Sequence, residues 1–154
     1  MFRLPKSNKP YDYDEQKDNR DPSTGFREKT QDIEVTVWPE FIDGQSNNIG
    51  NIFIWAYQVR IDNKSNKKIK ILNRYWKIVD EKGIVQEVSG EGVVGQQPEI
   101  MPNSYFKYTS GVHLLNPSGI MSGHYQVQVE NGEIFDAKIP AFSLDTPFVN
   151  RIVN

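Results

Sequence analysis

Apolar residues recur at every second position in this chain, and no window of ten or more residues carries the spacing of an amphipathic helix. A period of two is the pleat of a half-buried strand, so the chain is confined to sheet architecture. Ile33, Val35 and Val37 alternate with Asp32, Glu34 and Thr36, giving a first strand expected to stop at Trp38-Pro39. The longest candidate, residues 51–62, sets Phe53, Trp55, Tyr57, Val59 and Ile61 on one face and Ile52, Ile54, Ala56, Gln58 and Arg60 on the other. Its first half is apolar on both sides, which predicts a central strand with that half covered twice. Residues 68–79 break parity. Ile69 and Ile71 share one face; Leu72, Trp76 and Ile78 share the other. A slip of one residue would throw a core face into water, so a β-bulge is expected near Leu72-Asn73.

Asp80-Glu81-Lys82-Gly83 reads as a turn into a short strand at 84–89, and further strands are expected at 104–109, 124–130 and 133–139. The last two are joined at Asn131-Gly132, the strongest short hairpin signal. These elements predict an all-β fold, an immunoglobulin-like or fibronectin type III-like antiparallel β-sandwich of seven or eight strands. Two residues sharpen that reading. Trp76 stands in the third strand, where such sandwiches bury a tryptophan. Tyr125, in Gly123-His124-Tyr125-Gln126-Val127, has the spacing of a tyrosine corner, whose phenol bonds back to an upstream backbone group. Both are also compatible with ordinary core aromatics.

Composition shifts near residue 31. Residues 1–31 hold seven basic and six acidic side chains against six apolar ones: Met1, Phe2, Leu4, Tyr11, Tyr13 and Phe26. Such a segment buries too little apolar surface to offset the entropy of ordering it, which predicts a mobile polar tail. A docking peptide built around Tyr11 and Tyr13 is the alternative. The domain is therefore placed at 32–148, with a short C-terminal tail at 149–154. At 154 residues the chain allows one domain and a tail.

The chain has no cysteine, which removes disulfides, thiol nucleophiles, Cys-ligated zinc and iron–sulfur clusters. Its formal net charge of −2 argues against a general nucleic-acid binder. No apolar run is long enough to span a membrane, and Met1-Phe2-Arg3-Leu4-Pro5-Lys6 lacks the apolar stretch of a signal peptide. The expectation is a cytoplasmic protein.

Candidate chemistry is sparse. His113 and His124 lack neighbours at metal-ligand spacing, and Ser110 stands outside a G-x-S-x-G elbow. No pair of acids stands out for acid and base roles, so no catalytic residue, no metal site and no cofactor is assigned. The run Gly90-Glu91-Gly92-Val93-Val94-Gly95 is formally G-x-G-x-x-G. In dinucleotide-binding folds that motif works because a helix follows and offers its free N–H groups to a pyrophosphate. Here Pro98 and Pro102 follow, and Glu91 would repel a phosphate. Two readings stay open: a glycine-rich crossover, or a loop whose N–H groups form an anion nest. Eight basic residues lie between 60 and 82, against Asp62, Asp80 and Glu81. Some guard a sheet edge; others, placed beside the glycine loop, could hold a phosphate-bearing ligand. The candidate ligand-binding set is therefore Gly90, Gly92, Gly95 and Arg74.

Several stretches in order resemble the ApaG family. They are Tyr57-Gln58-Val59-Arg60-Ile61-Asp62-Asn63-Lys64-Ser65, Leu72-Asn73-Arg74-Tyr75-Trp76-Lys77-Ile78 and residues 90–100. Tyr108-Thr109-Ser110-Gly111, residues 119–125 and Ile139-Pro140-Ala141-Phe142 extend the likeness over about residues 30–148. The resemblance implies a fibronectin type III-like sandwich. Bacterial members look like accessory proteins linked by name to cobalt and magnesium efflux. Similar domains in eukaryotic F-box proteins and in a DNA-polymerase-delta-interacting protein look like protein-binding modules. The family's glycine motif, associated with nucleotide or pyrophosphate binding, is intact here. Tyr75 stands where the family often has His. The resulting expectation is a non-enzymatic bacterial adaptor with a protein partner. A sensor of a nucleotide or pyrophosphate at Gly90–Gly95 is the alternative. No membrane or nucleic-acid partner is expected, and a homodimer is compatible with either reading.

Overall fold

A computed structural model describes residues 18–43 and 52–147, together with the backbone of Phe2 and Arg3. Ten strands and one short 3-10 turn follow in order: β1 (Phe2–Arg3), the turn Pro22–Thr24, β2 (Phe26–Thr30), β3 (Ile33–Phe41), β4 (Phe53–Asn63), β5 (Ile69–Asp80), β6 (Val85–Glu91), β7 (Glu99–Ile100), β8 (Ser104–Leu114), β9 (Gly119–Val129) and β10 (Ile134–Leu144). The first sheet has the order β1-β8-β4-β3-β2. The second has the order β10-β9-β5-β6, with β7 also paired to β5. Every pairing is antiparallel, and the two sheets face each other as a β-sandwich.

The alternation read from the sequence sets the core. Val35, Val37, Val59 and Ile61 of the first sheet meet Ile71, Trp76, Ile78 and Val127 of the second, all buried. Trp76 is fully buried, its ring centroid 5.2 Å from Tyr57, 6.1 Å from Phe142 and 6.4 Å from Tyr125. β4 lies between β3 and β8, as its double apolar face implies. Its outer face, however, is most deeply covered at Arg60, in the second half rather than the first. The bulge falls as expected, with the β5–β9 register shifting between Ile71 and Asn73. The Asn131-Gly132 turn closes the β9–β10 hairpin through Gly132 N–H to the Val129 carbonyl (2.8 Å).

Three expectations are corrected. First, the fold begins before Asp32. β2 pairs with β3 from Phe26↔Val37 to Thr30↔Ile33, and Asp18–Asp21 packs on the outer face of the first sheet. The polar composition misleads because β2 is an edge strand that turns mostly charged side chains to water. Residues 4–17, with Tyr11 and Tyr13, lie outside the described residues, as does 148–154. Second, β3 runs through Pro39 to Phe41. Pairing with β2 ends at Val37, so Pro39 sits where β3 is a sheet edge and a missing N–H is tolerated. Third, Tyr125 makes no tyrosine corner. Its phenol bonds the Tyr108 hydroxyl across the sandwich.

Candidate functional site

The parity break in β5 and the glycine motif are one structural device. Because Leu72 has no partner in the β5–β9 register, its carbonyl is released from that ladder. It accepts the Gly92 N–H at 2.7 Å and the Gln97 side-chain amide at 3.1 Å. Two residues before Leu72, β5 pairs with β7; one residue after it, β5 pairs with β6. Residues 92–98 thus fill the gap between these two short strands, anchored by Val93, which is fully buried.

At its tip the loop reverses in a two-residue turn. Val93 and Gln96 exchange hydrogen bonds (2.6 and 3.0 Å), while Val94 (φ 45) and Gly95 (φ 81) occupy the left-handed region. Gly95 suits that position; the β-branched Val94 does not, and carries local strain.

Gly90, Gly92 and Arg74 come together as the sequence suggests, but in an unexpected polarity. Arg74 lies opposite Gly90, and a Cβ at Gly90 would stand 2.7 Å from the guanidinium carbon. The absent side chain lets Arg74 lie across the backbone and donate to the carbonyls of Glu91 and Gly92, each at 3.2 Å. The N–H groups of Gly92, Val93 and Gln96, which a nest would present to an anion, are spent on the chain's own carbonyls. Gly95 stands apart, at the turn. Three of the other basic residues of 60–82 are paired elsewhere: Arg60 and Lys64 with Asp62 and Glu34 on the first sheet, and Lys68 with Glu99.

Behind Arg74 stands a polar group that sequence reasoning missed. The buried phenols of Tyr57, Tyr108 and Tyr125 come from three strands of both sheets. Burial pushes the Tyr57 phenol up to about 12, and the Tyr108 and Tyr125 phenols well above their usual range. All three therefore stay neutral, and Tyr108 and Tyr125 satisfy each other by a hydrogen bond. Arg74 has no carboxylate within salt-bridge reach among the described residues.

On the outer face of the second sheet, Tyr75 and His124 stack at 5.1 Å, with Asp136 3.9 Å from His124. They line an open cleft of ≈ 420 Å³ with Asn73, Gln126 and Ser89. Register also puts Val85, Val79 and Ile120 in one row of that face; Val85 is 49% and Ile120 55% exposed. Only tertiary pairing reveals this row, because its members are scattered over three strands.

The comparisons agree with this architecture. The family model described as the ApaG domain (DUF525) matches residues 43–129. A protein of Methylocella silvestris named Protein ApaG is 54% identical over 81% of this chain and 96% of its own length. Its namesake from Agrobacterium fabrum is 48% identical over 84% of this chain and 99% of its own length. Among solved structures, a Bordetella pertussis protein described as ApaA superposes with a TM-score of 0.74 at 41% identity, covering 75% of this chain and 94% of that one. A second X-ray structure, a structural-genomics target, gives a TM-score of 0.73 at 39% identity, over 77% of this chain and 90% of that one. No helix among the described residues is long and apolar enough to cross a membrane. With a family model matching more than half of its residues and relatives this similar over most of its length, the chain belongs to the ApaG family.

Proposed function

We propose that this domain is a non-catalytic binding module that receives an extended segment of a partner protein on the free edge of β6. The supporting observation is the polarity of that edge. Asp80 N–H bonds the Ile84 carbonyl and Gly92 N–H bonds the Leu72 carbonyl, so the alternating antiparallel ladder turns Gln86, Val88 and Gly90 toward β5. Among the described residues, Val85, Glu87 and Ser89 then point their N–H and C=O groups outward, a template for strand addition that ends at Glu91, whose carbonyl Arg74 already takes. The second sheet's other edge, β10, is tied to β2 by Lys138 N–H to Thr30 Oγ1 (3.0 Å). The exposed Ile84 and Val85 lie at the β6 edge and, with Ile120 two strands away in the same row, supply an apolar anchor. An association with cobalt and magnesium efflux fits a module that acts through its partner.

A photo-reactive residue at Glu87, in cells that make the chain natively, tests this. One discrete protein adduct is expected, lost in Ser89→Pro, whose missing N–H faces away from β5 and leaves the internal ladder intact. No adduct, or an adduct indifferent to Ser89→Pro, overturns the reading.

Arg74 favours a second reading. A half-buried guanidinium whose hydrogen bonds among the described residues go to carbonyl oxygens has capacity left for an anion, so a phosphate-bearing ligand at the Gly90–Gly95 corner is supported by charge. Titration calorimetry with pyrophosphate should then show binding that is lost in Arg74→Gln. Heats indistinguishable from dilution refute it.

A further inference from the structure

Alternation places Arg60 between the core residues Val59 and Ile61, so its side chain leaves the sandwich on the outer face of the first sheet. Yet that side chain is only 6% exposed. Part of its setting belongs to the sheet itself. Nε donates to Asp62 Oδ2 at 3.0 Å, and the guanidinium lies 5.5 Å from the Trp38 ring and 5.7 Å from the Tyr105 ring. These groups come from β3, β4 and β8 and form a rigid, preformed platform.

The rest comes from Asp18-Asn19-Arg20, which lies across the platform like a bound peptide. The Asp18 carboxylate, 3% exposed, stands 3.5 Å from Arg60 Nη1. The Asp18 N–H donates to the Tyr105 hydroxyl at 2.7 Å, and Arg60 Nη1 donates to the Arg20 carbonyl at 3.3 Å. The Arg20 guanidinium sits 3.9 Å over the Trp38 ring and donates to Gln58. The platform thus recognises a carboxylate and a backbone carbonyl through Arg60, a backbone N–H through the Tyr105 hydroxyl, and a cation through the Trp38 ring. Asp18 is held well below the usual carboxylate range, chiefly by its hydrogen bond to the Arg20 side chain, so it presents a full charge.

No apolar side chain anchors this strap. Its contacts exchange hydrogen bonds with water for similar bonds with protein, so they select geometry more than they lock it. We propose that the outer face of the first sheet is a recognition site for an extended segment bearing an acidic residue and an arginine two positions later, and that Asp18-Asn19-Arg20 fills it in cis. A partner segment of that chemistry binds by displacing the strap, which runs on its C-terminal side into the turn Pro22–Thr24. It competes against an effective concentration of about millimolar. The site is separate from the β6 edge, on the opposite sheet, and does not depend on it.

The probe is an acetylated, fluorescein-labelled peptide of residues 16–24, followed by anisotropy against the full chain. The Asp18→Ala/Arg20→Ala variant, with its platform vacated, should bind the peptide about tenfold or more tighter than wild type. A peptide with Asn in place of Asp18 should lose that gain, and Arg60→Ala in the vacated protein should abolish it. Equal binding by wild type and variant, or no saturable binding to the variant at millimolar peptide, overturns the proposal. Loss of cooperative unfolding in both this variant and the milder Asp18→Asn would make the strap a structural member and also overturn it.

Discussion

Gly92→Ala tests how firmly the glycine loop is clamped on the bulge. Gly92 has φ 65, and a Cβ there would stand 1.9 Å from the Gln96 carbonyl oxygen. The backbone conformation alone costs an alanine about 1–2 kcal/mol. The collision adds more, because the Gln96 carbonyl accepts the Val93 N–H at 2.6 Å and must retreat. That loses a hydrogen bond worth about 1 kcal/mol. It also loosens Val93, a fully buried side chain whose burial contributes up to about 1.5–3 kcal/mol. A total loss of about 3–5 kcal/mol is expected. Gly132→Ala is the internal control: φ is 93, but nothing lies within 4 Å of its Cβ, so only the backbone cost applies. Urea unfolding of both variants, with unchanged m-values, reads the difference. If the two midpoints correspond to stabilities within about 0.5 kcal/mol of each other, the loop yields freely and the clamp is refuted. The same reasoning makes Arg74→Gln a cleaner probe of ligand binding than any glycine substitution.

Trp76→Ala should cost about 3–5 kcal/mol, as truncation of a fully buried indole does; a wild-type midpoint in denaturant would contradict its core position. The buried phenols have folded pKa values above their unfolded ones, so stability should hold up to about pH 10 and fall as pH rises from there toward about 12 and beyond. A tyrosinate absorbance that rises with Tyr57, Tyr108 and Tyr125 ionising near pH 10 in the folded protein would refute that. Asp18 has the opposite sign: its folded pKa lies below the unfolded one, so its contribution is present above the ordinary carboxylate range and lost on acidification. Asp18→Asn should therefore destabilise at neutral pH, with the gap to wild type closing below about pH 4; a gap independent of pH would place the effect elsewhere.

The strands most legible in the sequence are those with one face in the core. β4 and β5 announce themselves by alternation, and the bulge by a parity break that admits no other remedy. β2 was illegible for the opposite reason: Phe26 is its only apolar residue, and its pairing is decided by β3. The strap shows the same limit in sharper form. Asp18 and Arg20 read as solvated charges because their partners, Arg60, Trp38 and Tyr105, are brought to them only by the folded sheet. At the glycine loop, sequence located the residues but could not say which backbone groups were free. The bulge at Leu72 decides that, by taking the Gly92 N–H. Val94 could not be foreseen at φ 45, since β-branched residues avoid that region.

Residue-resolved amide exchange by NMR along β6 of the full chain reads whether that edge is open. An open edge predicts alternation: Gln86, Val88 and Gly90 protected by their bonds to β5, with Val85, Glu87, Ser89 and Glu91 exchanging at nearly unprotected rates. Uniform protection of all seven would mean that the edge is already covered in the isolated protein, and would contradict its role as the place where a partner strand is received.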